Sequence, residues 1–146
     1  DGLKAINDQG GHAAGDTLLC ALARVLEICL RTPDSAGRVG GDEFLVVLPE
    51  VAAEGGVVVA RRMIRLFAEE VMQQPSLRPF AGTVGLSLGL ASVYDGAESS
   101  QALMARGDAA LYRAKSAGKN QFCVLPPEEQ PQSGAAPRQG PTSRRP

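Results

Sequence analysis

Gly40-Gly41-Asp42-Glu43-Phe44 stands between the short run Gly37-Arg38-Val39 and the apolar run Leu45-Val46-Val47-Leu48. A glycine pair between two strand-forming runs predicts a tight β-hairpin, because glycine reaches the positive φ angles that primed hairpin turns demand. The same glycines leave the tip bare of side chains, so a ligand can lie against backbone there. Asp42 and Glu43 follow at once, and carboxylates beside such a surface suit a hard divalent cation carrying a phosphate ester. An ordinary surface turn with solvated acids fits the pentapeptide as well.

On the N-terminal side of the hairpin, Leu18, Leu19, Leu22, Val25, Leu26, Cys29 and Leu30 recur at three- and four-residue steps. That period predicts an amphipathic helix from about Gly15 to Leu30, with Asp16 placed to cap its free N–H groups. Ahead of it, Asp1 opens as a strand. Beyond the hairpin, Ala52 to Met72 reads as a helix with Val58, Ile64, Phe67 and Val71 among its apolar positions, closed by Pro75 and Pro79. Thr83 to Val93 reads as a strand, Ser100 to Ser116 as a helix stopped by Gly118, and Gln121 to Leu125 as a last strand. Strands separated by helices predict an α/β or α+β sheet with helices packed on it.

The chain has 146 residues, of which 44% are apolar, enough for one domain with a real core. Its net charge of −1 gives no basic face for a nucleic-acid polymer. No apolar run approaches the roughly 20 residues of a bilayer span. Cys20, Cys29 and Cys123 show no metal-ligand spacing and are odd in number, which predicts small buried side chains in a reducing cytoplasm. From about Pro126 to Pro146, prolines alternate with Gln, Ser, Gly and Arg without hydrophobic period, predicting a disordered tail and a folded domain over 1–125.

Five segments in order resemble the signature of the GGDEF family, the diguanylate cyclases. They are the hairpin pentapeptide, DGLKAIND at 1–8, GHAAGD at 11–16, VGLSLGLA at 84–91 and DAALYRAKSAGKN at 108–120. The resemblance implies a palm-like fold, a central, mainly antiparallel sheet flanked by helices. The family opens with a helix and a first strand ending in an Asp-x-Asp-x-Phe-Lys-like run, and Asp1-Gly2-Leu3-Lys4 matches only the last part of it. The expectation is therefore a domain that lacks its first helix and strand, with the first metal aspartate ahead of residue 1. On that expectation residues 1–146 alone make no cyclic di-GMP, whereas a chain extended upstream does.

The reaction implied by the resemblance joins two GTP into cyclic di-GMP and pyrophosphate, each 3′-hydroxyl attacking the other's α-phosphorus. Two subunits each hold one GTP, which implies an active homodimer. Residues matching Asn7 and Asp16 hold the guanine, whose N1–H and N2–H₂ donors a carboxylate can accept and an adenine cannot offer. Lys115 and Lys119, four apart, match cations on the phosphates, and Lys4 adds a third; the bare backbone of Gly40 and Gly41 is the surface against which the substrate lies. Asp42 is the surviving ligand for Mg²⁺ or Mn²⁺, with Glu43 as a second carboxylate or base. His12, the one histidine, reads as structural.

Arg31-Thr32-Pro33-Asp34 stands where the family carries an RxxD inhibitory site, and Arg62 matches a further arginine of it. Arginine suits guanine O6 and N7, of which cyclic di-GMP offers two sets. Read without the resemblance, these residues are a helix-end ion pair, Asp16 a helix cap, and Lys115 and Lys119 a basic helix end. Two other functions remain open: a catalytically inactive module that senses GTP or cyclic di-GMP, and a ligand-free dimerisation unit. The intact pentapeptide favours the enzyme.

Overall fold

The computed structural model describes residues 1–93 and 98–126; the expected tail therefore lies outside the described residues beyond position 126. The elements in chain order are α1 (Leu3–Cys29), β1 (Ser35–Gly40), β2 (Glu43–Val47), α2 (Ala53–Gln73), a 3₁₀ turn (Arg78–Phe80), β3 (Leu88–Ala91), α3 (Ser100–Ser116) and β4 (Phe122–Leu125). Helix α3 has the span read from the sequence. Helix α1 is longer than expected. It begins at Leu3 and kinks at Gly11, where φ is 76° and ψ 170°. The amphipathic period shows only beyond that kink, so the first turns carry no helical signature of their own. Asp16 consequently lies inside α1 and caps nothing.

Leu18, Leu22, Val25 and Cys29 of α1 meet Met63, Phe67 and Val71 of α2, and Ile6, Leu77 and Leu86 complete the buried core. These spacings keep one stripe of each helix facing inward. Each such side chain fully withdrawn from water contributes roughly 1.5–3 kcal/mol before entropy is subtracted. Val58 falls off the α2 stripe and is exposed. Cys29 is buried as expected, and burial pushes its thiol above the ordinary range. Cys20 is exposed and Cys123 half-buried, so the expectation of three buried cysteines is corrected at both.

Among the described residues the sheet lies in two pieces. β1 and β2 pair antiparallel, and β3 and β4 pair parallel, Leu88 opposite Phe122 through Ala91 opposite Leu125. The strand expected over Thr83 to Val93 narrows to Leu88–Ala91. Its packing explains a glycine: a Cβ on Gly89 would stand 2.1 Å from the Gly107 carbonyl oxygen and 2.3 Å from the Leu111 nitrogen, so α3 lies directly on β3. Arg106 of α3 clamps the far end of this pair. It is buried, donates to the carbonyls of Leu125 at 2.9 Å and Ser92 at 2.6 Å, and pairs with Glu98.

Candidate functional site

The hairpin turn is one residue later than the glycine pair suggests. Gly40 is still in β1, opposite Glu43, and Gly41-Asp42 form the two-residue loop. Gly41 has φ of 50° while Asp42 does not take positive φ. Positive φ at the first loop position alone is the pattern of a type II′ turn, which asks for glycine there. Among the described residues, no atom outside the adjoining residues lies within 4 Å of where a Cβ of Gly40 or Gly41 would stand. The tip is therefore open backbone, with the exposed carboxylates of Asp42 and Glu43 beside it.

These two acids line a groove between β2 and β3. Phe44, Val46, Leu88 and Met63 give it an apolar floor, and Lys115 of α3 lines it too. Residues more than seventy positions apart in sequence thus bring an acidic pair and a cation to one cleft. Lys119 does not follow Lys115 on a helix face as expected, because α3 has already ended at Ser116. A Schellman cap ends it: the Lys119 N–H donates to the Ala114 carbonyl at 3.1 Å and the Gly118 N–H to that of Lys115 at 3.4 Å, with Gly118 at φ of 116°.

Asn120, the last residue of the 108–120 motif, pins this cap to the strand region. It accepts the Leu86 N–H on Oδ1 at 3.2 Å, and its own N–H donates to Ser87 Oγ at 3.1 Å. Lys119 and Asn120 both take positive φ, a conformation for which Asn is several-fold enriched. That preference was the available signal.

The expected base-binding pair is joined through Gly15. A Cβ there would fall 1.9 Å from Asn7 Oδ1, so the Asn7 side chain lies against the Gly15 backbone, one residue from exposed Asp16. Leu3 Cδ1 approaches the same spot. A second groove is lined by Asp42, Leu18, Leu19 and Leu3, the last of which also approaches Gly15. Lys4 is exposed on the first turn of α1 and lines neither groove.

For a divalent cation, Asp42 and Glu43 supply hard oxygen donors. Mg²⁺ takes one or two protein carboxylates and keeps several waters, so this donor set suits it. Among the described residues no three acidic, histidine or cysteine side chains converge into a closed cage.

At the opposite end of β1, Arg31 and Asp34 are locked together. Arg31 Nη2 donates to Asp34 Oδ1 at 2.7 Å, Nε to Oδ2 at 3.1 Å and the Arg31 backbone N–H to Oδ2 at 2.8 Å. Nη2 also reaches the Pro49 carbonyl at 3.2 Å. The Asp34 side chain is only 2% exposed, that of Arg31 55%. The Arg31 hydrogen bonds hold the Asp34 carboxyl below its ordinary range. Arg62 arrives from α2 and donates to the Ile28 carbonyl at 3.2 Å, so it stands over the same end of α1.

Residues 1–121 match the family described as diguanylate cyclase, GGDEF domain. The chain is 42% identical over 131 residues to an uncharacterized signaling protein of Caulobacter vibrioides, 36% over 124 residues to diguanylate cyclase A of Treponema denticola, and 41% over 120 residues to diguanylate cyclase DgcM of Escherichia coli. Those matches cover 84%, 85% and 82% of this chain but 15%, 33% and 28% of the relatives. Among solved structures, the coiled coil and GGDEF domain of DgcB from Caulobacter crescentus in complex with c-di-GMP aligns with a TM-score of 0.76 at 30% identity, over 86% of this chain and 65% of that one. The active GGEEF domain of a diguanylate cyclase from Vibrio cholerae aligns with a TM-score of 0.74 at 34% identity, over 85% and 76%.

Proposed function

This chain belongs to the diguanylate cyclase GGDEF family, with that family's α+β palm-like fold, and on that premise we propose that it is a catalytic domain joining two GTP into cyclic di-GMP. The observation that carries the reading is the cleft in which Asp42 and Glu43 meet Lys115. Acid and cation in one cleft suit a metal-bound polyphosphate, where catalysis is mostly positioning and charge stabilisation.

Each residue then has a task. Asn7 and Asp16 hold the guanine edge, and Asp16 accepts the paired donors that adenine lacks. The open backbone of Gly40 and Gly41 lets the phosphates lie close, while Lys115, Lys119 and Lys4 balance their charge. Asp42 holds Mg²⁺ or Mn²⁺ with Glu43 as its neighbour. When bound, that ion polarises the α-phosphate and lowers the pKa of the attacking hydroxyl. Because one subunit presents one GTP, the active form is a homodimer with two clefts facing. Arg31, Asp34 and Arg62 form a separate site that binds the product and restrains synthesis. GTP as substrate implies a cytoplasmic domain; no helix among the described residues is long and apolar enough to cross a membrane.

The test is conversion of GTP to cyclic di-GMP, followed by chromatography, with the purified protein at its natural length and Mg²⁺ present. Product that disappears in Asp42→Ala supports the reading. A folded protein that binds GTP or cyclic di-GMP yet makes no product is instead a sensor.

A further inference from the structure

The hairpin tip lacks the packing that normally orders a loop. Gly40 and Gly41 have empty space where side chains would stand, and Val39, Asp42 and Glu43 are exposed. One side chain reaches across it. Arg38 Nε donates to the Gly41 carbonyl oxygen at 2.8 Å, and Arg38 Nη2 donates to the same oxygen at 2.6 Å. Arg38 can do this because the ladder slips there. Arg38 pairs with Phe44 and Gly40 with Glu43, leaving Val39 as the extra residue of a bulge. Bulges of this kind bend a strand and re-aim the adjacent side chain.

A consequence follows from peptide planarity. In a trans peptide the C=O and the following N–H point in opposite directions. With the Gly41 oxygen drawn toward Arg38, the Asp42 N–H faces away from Arg38, and the Asp42 Cα is fixed by the same plane. We infer that Arg38 is a positioning residue: its two-donor grip on the Gly41 carbonyl sets the direction in which Asp42 presents its N–H and its carboxylate. The kinetic part of this inference rests on the cyclase reading above; the conformational part does not.

Both parts are tested with Arg38→Ala and Arg38→Lys. In the Ala variant, the backbone order parameters of Gly41 and Asp42 should fall from the rigid level of about 0.85 to below about 0.6, with the thermal midpoint unchanged. Turnover should drop by about tenfold to a hundredfold, since small misplacements of a reacting group are costly, while the KM for GTP stays within about twofold. The Lys variant keeps charge and one donor point, without the fork, and should recover part of both order and turnover. An unchanged order parameter in Arg38→Ala overturns the inference whatever the activity. A rise in KM with kcat preserved also overturns it, since Arg38 would then touch the substrate directly. If the unaltered protein makes no product, the cyclase reading fails, and the order parameters alone decide on Arg38.

Discussion

Two arginines flank the carboxylates at either end of β1, and they treat those acids differently. At the start of the strand, Arg31 closes its fork on the Asp34 carboxylate, which is all but removed from water. At the far end, Arg38 closes its fork on a backbone carbonyl and leaves the Asp42 and Glu43 carboxylates exposed. The first arrangement uses an acid for structure. The second uses the backbone for structure and keeps the acids available for chemistry, as a metal-binding tip requires. The contrast also constrains the proposed product site. Nε and Nη2 of Arg31 are already committed, so an incoming guanine must share that fork with Asp34 or use the remaining edge.

The largest effect should come from breaking the frame that both ends share. Gly89→Val would drive a branched side chain into the backbone of α3 at Gly107 and Leu111. Overpacking of this kind costs about 1–3 kcal/mol or more, and urea unfolding should show the loss, with both sites weakened together. Next, Asp16→Ala should separate the two ends. A lost charge-assisted pair is worth roughly 1.5–3 kcal/mol, so calorimetry should show GTP affinity falling one to two decades and the preference over ATP eroding. Equal GTP and ATP binding before and after the change would remove Asp16 from the base site.

Arg31→Ala acts at the other end. Cyclic di-GMP affinity should fall about tenfold or more, with basal synthesis retained; inhibition that persists unchanged would leave Arg31 and Asp34 as a plain helix-end ion pair. The smallest effect is in pH. The Asp34 carboxyl is depressed in the folded protein, so the stability it contributes is fully present above the ordinary carboxylate value. That contribution is lost as pH falls through the depressed value. Removing Arg31 should move the Asp34 titration, followed by carboxyl-carbon NMR, upward toward the ordinary range. A titration that stays put would assign the shift to another cause.

Much of the fold was legible because α2, α3 and the hairpin are signalled locally, by apolar period and by turn chemistry. What escaped depended on contacts distant in sequence. The first turns of α1 carry no amphipathic stripe before the Gly11 kink, so the sequence signals a helix only from about Gly15 and a strand at Asp1. The turn slipped by one residue because the bulge at Val39 is set by pairing with β2. Asp42, Glu43 and Lys115 could be named as residue types, but their meeting depends on how α3 packs on β3. Gly15 could be seen as part of a motif. That it makes room for Asn7 could not, because an unbroken helix would hold the two about 12 Å apart and the break at Gly11 lets them meet.

The most direct test of the account is cyclic di-GMP formation from GTP and Mg²⁺ by the natural-length protein, measured side by side for the unaltered chain, Asp42→Ala and Arg31→Ala. The account predicts product from the unaltered chain, none from folded Asp42→Ala, and sustained synthesis by Arg31→Ala at product concentrations that silence the unaltered chain. Undiminished synthesis by Asp42→Ala, or a folded unaltered protein that binds GTP and forms no product, would contradict it.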